Sequence, residues 1–208
     1  MSNAPTTSAG HTSQQAELLR RREKLLGKNT PLFYDQPLHL VRGQGVHLYD
    51  VNGHEYLDVY NNVANVGHCH PRVVAALSGQ ASTLNIHTRY LHETILDYAE
   101  SLTSTFADPL STVMFTCTGS EANDLALRMA RHATGAMGII CTSETYHGNT
   151  SAVDELATLF HDGEAVGAHV KSVPFPDTYR PEGGLQGQEL CDAYLRSVDQ
   201  AIVEFQQE

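Results

Sequence analysis

The middle of the chain alternates β-type and helical segments, and this alternation restricts the fold more than any other feature. Residues 112–117 (TVMFTC) and 137–143 (MGIICTS) are rich in β-branched and apolar side chains, and a further strand is predicted around residues 169–173. Between the first two strands, apolar residues recur about every 3.6 positions, which predicts an amphipathic helix over residues 121–133. Strands joined by helices predict an α/β fold with a mainly parallel sheet and flanking helices.

The first part of the chain shows different patterns. Residues 1–14 are small and polar, which predicts a disordered tail. Leucines at positions 18, 19, 25 and 26 mark one face of a predicted helix that ends at Gly27, and the basic residues among them form either a solvated face or a site for an anionic partner. Residues 46–58 predict a β-hairpin, because Asn52-Gly53 suits the two positive-φ positions of a type I′ turn.

Three more helices are predicted, over residues 72–84, over residues 93–105 and at the end of the chain. The last helix reaches Glu208 without a glycine, proline or turn signal. A buried parallel sheet needs several strands, and only about three are predicted in the central region. We therefore expect an incomplete architecture.

Composition and charge exclude several classes of function. The chain has 24 acidic residues against 13 lysines and arginines, and the formal net charge of -11 is poorly suited to nucleic acid, whose binding depends on phosphate neutralisation. The apolar runs are far shorter than the ~20 residues of a membrane helix, and the pattern of a signal peptide is absent. The four cysteines form neither a CxxC pair nor a dense disulfide framework, which favours a reducing, cytoplasmic location.

Two loops that follow predicted strands carry chemically suitable residues. Thr118-Gly119-Ser120 precedes the amphipathic helix, whose first backbone N–H groups can bind an anion such as phosphate, with the two hydroxyls as further donors. The same pattern also fits an ordinary strand–turn–helix junction. Tyr146-His147-Gly148 follows the next strand, where the aromatic ring can stack on a planar ligand or pack into the loop.

Two other catalytic patterns are weaker. His68-Cys69-His70-Pro71 contains metal-binding side chains, but adjacent residues rarely point at one ion and no second ligand pair lies at a fitting distance. We expect a structural turn fixed by Pro71 there, and no metal site. Hydrolysis by a Ser–His–Asp triad is unsupported, because the chain has no GxSxG motif.

Three segments together resemble the class III aminotransferases, which are pyridoxal-phosphate (PLP) enzymes of fold type I. The segments are YLDVYNNVANVGHCHPRVVAAL (56–77), TCTGSEANDLALRMAR (116–131) and ETYHGNT (144–150). Within that class, NNVANVGHCHP (61–71), LNIHTRYLHETILDYAESL (84–102) and FPDTYR (175–180) are similar to phospho-lyases that act on phosphoethanolamine or phosphohydroxylysine. The resemblance runs from about residue 30 to the end of the chain.

The resemblance implies a cofactor site and two substrate residues. The implied PLP-binding residues are Thr118, Gly119, Ser120, Tyr146 and His147. The first three would hold the phosphate, and the tyrosine would stack on the pyridine ring with the histidine close by. The segment 60–63, which includes Asn62, would border the substrate, and Arg89 would contact a substrate phosphate or form a structural salt bridge.

The resemblance also implies a domain organisation and an assembly. Residues 1–14 would be the tail, and residues 15–62 would form an N-terminal segment of helix and hairpin that belongs to the small domain. Residues 63–208 would be the first part of the PLP-binding large domain. Family members act as homodimers, so a second copy is an expected partner.

The chain departs from the family in two chemically important respects. Class III enzymes bind PLP through a lysine that also moves a proton, and an aspartate contacts the pyridine nitrogen. This chain has three lysines, Lys24, Lys28 and Lys171, and none lies in a segment that resembles the lysine motif. The aspartate motif is absent as well, so no catalytic residue is assigned.

The implied function is that of the front half of a PLP enzyme. Such an enzyme transfers an amino group, or eliminates phosphate from a phosphorylated amine, through an external aldimine. The expected substrate is a small amine or a phosphorylated amine. The alternative is a catalytically inactive short product that lacks the Schiff-base lysine and acts as an interaction partner.

Overall fold

The computed structural model describes residues 13–28, 30, 32, 34–159 and 167–207. The tail predicted over residues 1–14 lies outside the described residues except for its last two, which belong to the first helix. The chain divides into two compact units, Met1–His92 and Glu93–Glu208. The domain boundary predicted after residue 62 stays a prediction.

The first unit begins with helix α1 (Ser13–Leu26), which ends where the sequence predicts. Gly27 follows it with a φ of 86°, the left-handed conformation that commonly ends a helix. The side-chain amide of Gln15 donates to the carbonyl of Pro37 and ties the helix to the segment before the sheet. On the basic face, Arg20 forms an exposed ion pair with Glu17, as a solvated helix surface does.

A three-stranded antiparallel sheet follows, with strands β1 (Leu40–Gln44), β2 (His47–Asp50) and β3 (Glu55–Leu57) in that order. The predicted hairpin is therefore confirmed. The predicted type I′ turn is wrong, because Gly53 has a φ of 86° but Asn52 is not in the positive-φ region. The Asp50 carboxylate accepts the N–H groups of Asn52 and His54, at 2.8 and 2.9 Å, and so fixes a wider loop.

Helix α2 (Pro71–Thr83) is one residue displaced from its predicted bounds and carries a proline in its first turn. The turn before it is the predicted one: Cys69 has a φ of 53°, and His68 exchanges two backbone hydrogen bonds with Gly45, at 3.0 and 2.7 Å. The His68 ring is hydrogen-bonded to Asp58, with Nε2 2.6 Å from Oδ2. Within the described ranges, no group of three histidine, cysteine or acidic side chains could hold a metal ion.

The second unit contains two parallel strands and the helices around them. Its elements are α3 (Glu93–Thr103), α4 (Gly119–Thr134), β4 (Ile139–Thr142), α5 (Ser151–Asp154), β5 (Val170–Val173), a 3₁₀ turn (Glu182–Gly184) and α6 (Gly187–Gln207). Strands β4 and β5 pair in parallel from Ile139↔Val170 to Thr142↔Val173, which confirms the predicted α/β alternation. The buried core side chains come from α5 and the turn after it, from β5 and from α6: Val153, Leu156, Ala157, Val170, Val173, Leu190 and Ala201.

The strand predicted over residues 112–117 is not formed. This segment has no hydrogen-bonded partner strand among the described residues, so the parallel sheet there has two strands instead of about three. Apolar β-forming side chains make a strand only where a neighbouring strand supplies the ladder. Phe115 from this segment instead stacks on Tyr98 of α3, with ring centroids 5.4 Å apart.

The structure also bears on membrane insertion and on disulfide bonds. No helix in the portion of the chain that the structure describes is long and apolar enough to cross a membrane. All four cysteines are free thiols, three of them exposed and Cys141 partly buried.

Candidate functional site

The N-terminus of α4 is shaped by a reciprocal capping arrangement. Thr118 is the N-cap, and its Oγ1 accepts the backbone N–H of Glu121 at 3.1 Å. The Glu121 carboxylate in turn accepts the backbone N–H of Cys117 at 2.7 Å. Because two side chains bind the backbone on either side of Thr118, the turn that leads into the helix is held in one conformation.

The next two backbone N–H groups are available for a ligand. Neither Gly119 nor Ser120 donates its N–H to any acceptor in the part of the chain that the structure describes. A Cβ built on Gly119 would meet no atom within 4 Å, so the space beside this residue is open. Free N–H groups at the positive end of a 16-residue helix suit an anion such as phosphate.

The loop that carries Tyr146 and His147 lies against the same helix turn. The Asn149 N–H donates to Ser120 Oγ at 3.1 Å, and the Asn123 side-chain amide donates to the His147 carbonyl at 2.6 Å. Gly148 is buried between these two contacts with a φ of 141°. The structure therefore brings together the two loops that the sequence marks as chemically suitable.

The contacts change one expectation and add one residue. The Ser120 hydroxyl has a single proton and donates it to Asn149 Oδ1, so its backbone N–H, and not its hydroxyl, remains for an anion. The Thr118 hydroxyl only accepts, and its proton stays available. Asn123 was not predicted as a site residue. The sequence signal that could have pointed to it is an asparagine inside a helix, where this residue is disfavoured unless its side chain has a partner.

The loop also presents an aromatic ring and an unpaired ring nitrogen. Tyr146 is 54% exposed. Nε2 of His147 is buried and has no hydrogen-bond partner among the described residues. Buried polar atoms are nearly always paired, so an unpaired one in a loop bonded to this helix turn is compatible with a site that takes a polar ligand. The free N–H groups, the open space and the exposed ring fit a planar phosphorylated group such as PLP.

The predicted substrate residues lie in the first unit. Asn62 is exposed and follows a segment organised by Asp58, whose carboxylate accepts the N–H groups of Asn61 and Tyr60 at 2.9 and 3.0 Å. The backbone bond from Asn61, followed by the side-chain bond from His68, holds the pKa of Asp58 well below its usual range.

Arg89 is also exposed, and its backbone N–H donates to Nδ1 of His87 at 3.2 Å. Its guanidinium forms no ion pair with any residue that the structure describes, so the salt-bridge alternative finds no partner there. The substrate roles of Asn62 and Arg89 stay predictions.

Lys171 is the only lysine of the second unit, and its side chain contacts helix α6. Its Nζ is 3.5 Å from the Glu204 carboxylate and 4.9 Å from the centre of the Phe205 ring, both on α6. These contacts give the side chain a structural role, in agreement with the absence of a lysine motif around it.

Comparison with known proteins identifies the family. The model of the class III aminotransferases matches residues 33–204. An alanine–glyoxylate aminotransferase 2-like protein of Drosophila melanogaster is 41% identical over 175 residues, which are 82% of this chain and 35% of that protein. Ethanolamine-phosphate phospho-lyase homolog 1 of Caenorhabditis elegans is 38% identical over 180 residues, which are 85% of this chain and 38% of that protein.

The structural comparison agrees with the sequence comparison. A phospholyase from Arthrobacter, solved in complex with phosphoethanolamine, superposes with a TM-score of 0.82 and 44% identity, over 91% of this chain and 45% of that chain. The chain thus spans less than half the length of the relatives it matches. The fold is PLP fold type I, as the resemblance implies. The chain belongs to the class III aminotransferase family.

Proposed function

We propose that the α4 N-terminus and the loop of Tyr146 and His147 hold PLP, and that the protein eliminates phosphate from a phosphorylated amine. The observation that carries the proposal is the pair of free N–H groups at Gly119 and Ser120, with an exposed tyrosine presented by a loop bonded to the same turn. Amino transfer from a small amine is the second candidate.

Each residue of the site has a distinct task. The N–H groups of Gly119 and Ser120 hold a phosphate dianion without a lysine or arginine, because the helix end is itself positive. Tyr146 stacks on the pyridine ring, and the open side of Gly119 lets the phosphate approach the backbone. PLP, when bound, draws electrons from Cα of the amine, so that a proton can leave there and a neighbouring group can be expelled.

Two observations favour a phosphorylated substrate. The Arthrobacter neighbour, at 44% identity, was solved with phosphoethanolamine, and the Caenorhabditis elegans relative is named as a phospho-lyase homologue. In this chain, Arg89 offers an exposed guanidinium, and such a planar group binds phosphate through two parallel hydrogen bonds. We assign Arg89 to the substrate phosphate and Asn62 to the border of the substrate site.

The three lysines restrict how these 208 residues bind the cofactor. Lys171 is engaged by Glu204, and Lys24 and Lys28 belong to the N-terminal helix region, so PLP is held here by noncovalent contacts. The same fact favours the alternative that the chain alone is catalytically inactive and serves as an interaction partner. We also propose a homodimer and a cytoplasmic location, which follow from the family resemblance and the cysteine pattern.

The test has a binding arm and a reaction arm. In the first, the 208-residue chain is equilibrated with PLP and then dialysed against buffer; we expect binding that dialysis reverses, and absence of binding would overturn the cofactor site. In the second, protein captured from its source is given phosphoethanolamine with and without a keto acid. Phosphate release without the keto acid supports the lyase, whereas amine loss that requires the keto acid without phosphate release selects the transaminase.

A further inference from the structure

We propose that Asn123 and Asn149 are positioning residues that set Tyr146 at a fixed distance from the phosphate-binding end of α4. The proposal rests on the proposed function and deepens it. It assigns these two asparagines to the affinity for the cofactor ring, and it leaves the affinity for the phosphate to the helix N–H groups.

The two asparagines hold the loop on both sides of Gly148. Asn123 donates its side-chain N–H to the carbonyl of His147 at 2.6 Å. Asn149 exchanges two hydrogen bonds with the Ser120 hydroxyl, one from its backbone N–H and one to its Oδ1, each 3.1 Å long. Because Ser120 and Asn123 are three residues apart, they lie on the same face of α4 and form one attachment surface.

Gly148 makes this attachment close. A Cβ at this position would lie 2.6 Å from Ser120 Oγ and 2.8 Å from Ser120 Cα, so the loop backbone lies directly against the helix. Tyr146 is only two residues away from this contact. The hydrogen bonds of the two asparagines therefore constrain the backbone of Tyr146 relative to the helix end.

The attachment acts on the ring and not on the phosphate. The N–H groups of Gly119 and Ser120 belong to the helix, and the Thr118 cap holds them whether or not the loop is attached. Loss of the Asn123 hydrogen bond removes one attachment of the loop and leaves the helix end intact. The affinity for PLP, which includes the ring, and the affinity for inorganic phosphate alone can therefore be measured separately.

The first measurement compares PLP with inorganic phosphate on the 208-residue chain. Asn123→Ala should weaken PLP binding about tenfold, the effect of one lost hydrogen bond at a partly buried carbonyl, while phosphate affinity stays unchanged. Asn123→Leu, which keeps the size of the side chain without adding a charge, should behave alike because leucine cannot donate to the carbonyl. Asn52→Ala, an exposed asparagine in the hairpin, is the matched control and should alter neither affinity.

The second measurement needs no cofactor. The chain contains no tryptophan, so Tyr146→Trp places a single indole in the loop. Adding Asn123→Ala to this variant should increase quenching of the indole by acrylamide. Asn149→Ala, at an exposed position, gives the same comparison if Asn123→Ala lowers stability too far.

The outcomes separate this inference from the proposed function. If Asn123→Ala leaves both the quenching and the PLP affinity unchanged, or weakens phosphate as much as PLP, the positioning role is overturned while the cofactor site stands. If the parent chain binds neither PLP nor phosphate, the proposed function fails, and the role in cofactor affinity fails with it. Increased quenching would then show only that the loop is attached.

Discussion

Replacing Gly148 with alanine tests the contact between the loop and α4 directly. The new Cβ would lie 2.6, 2.8 and 2.9 Å from Oγ, Cα and Cβ of Ser120, where ordinary contacts begin near 3.4 Å. The close atoms include helix backbone, so the loop itself must move by about 0.5–1 Å to restore ordinary contact. Such a movement would lengthen the two hydrogen bonds between Ser120 and Asn149.

The expected loss of stability is the sum of two effects. The φ of 141° is strained for alanine and costs about 1–3 kcal/mol. Loss of the two hydrogen bonds adds about 0.5–1.5 kcal/mol each. Together they give about 2–6 kcal/mol, a large share of the roughly 5–15 kcal/mol by which a typical domain is stable.

Gly135 offers a matched control in the same unit. It follows α4 with a φ of 69°, and a Cβ there would meet no atom within 4 Å. Gly135→Ala therefore carries only the backbone strain, about 1–2 kcal/mol. Both variants are compared with wild type by urea unfolding, followed by circular dichroism. If Gly148→Ala loses no more stability than Gly135→Ala, the loop does not lie against the helix and the reasoning is refuted.

Three further predictions concern the cap, the hairpin and the lysine. Thr118→Ala should lower stability by about 1 kcal/mol through loss of the N-cap, and Thr118→Ser should restore it, as measured by the melting temperature. Burial alone would raise the pKa of Asp50, but hydrogen bonds from His54, Asn52 and Tyr56 lower it to about 2. A carboxyl whose pKa falls on folding stabilises the folded state above its ordinary pKa near 3.8, and this stabilisation is lost as the pH drops toward 2. The difference in urea midpoint between wild type and Asp50→Asn should therefore shrink from about pH 4 to about pH 2. Lys171→Met should leave PLP affinity unchanged, and a tenfold loss would contradict the structural role of this lysine.

The features that the sequence predicts well are those decided by neighbouring residues. Helix α4 follows from apolar spacing and from the glycine that ends it, and strands β4 and β5 from short apolar runs beside turns. The hairpin is correct as an element, but its turn type depends on the Asp50 carboxylate, which binds two backbone N–H groups of the loop. The Asn52-Gly53 pattern alone cannot show that the side chain of a neighbouring residue, Asp50, favours a different turn.

The features that the sequence misses depend on distant partners. Residues 112–117 have the composition of a strand, but a strand also requires a neighbour, and composition says nothing of where that neighbour lies. Asn123 meets the carbonyl of His147 from 24 residues away. The resemblance to the class III family implies that both loops contact the cofactor, but it does not say which side chains attach one loop to the other.

The capping arrangement of α4 explains why two adjacent N–H groups stay free at the start of the helix. A helix begins with four unpaired N–H groups, and a capped helix usually satisfies some of them with its own side chains. Here Thr118 takes the N–H of Glu121, and Glu121 takes the N–H of Cys117. The side-chain bonds thus fall on either side of Gly119 and Ser120 and leave those two N–H groups adjacent and free. The bond to the Cys117 N–H directs the Glu121 carboxylate to the residue before the cap, so this acidic side chain occupies neither the Gly119 nor the Ser120 N–H.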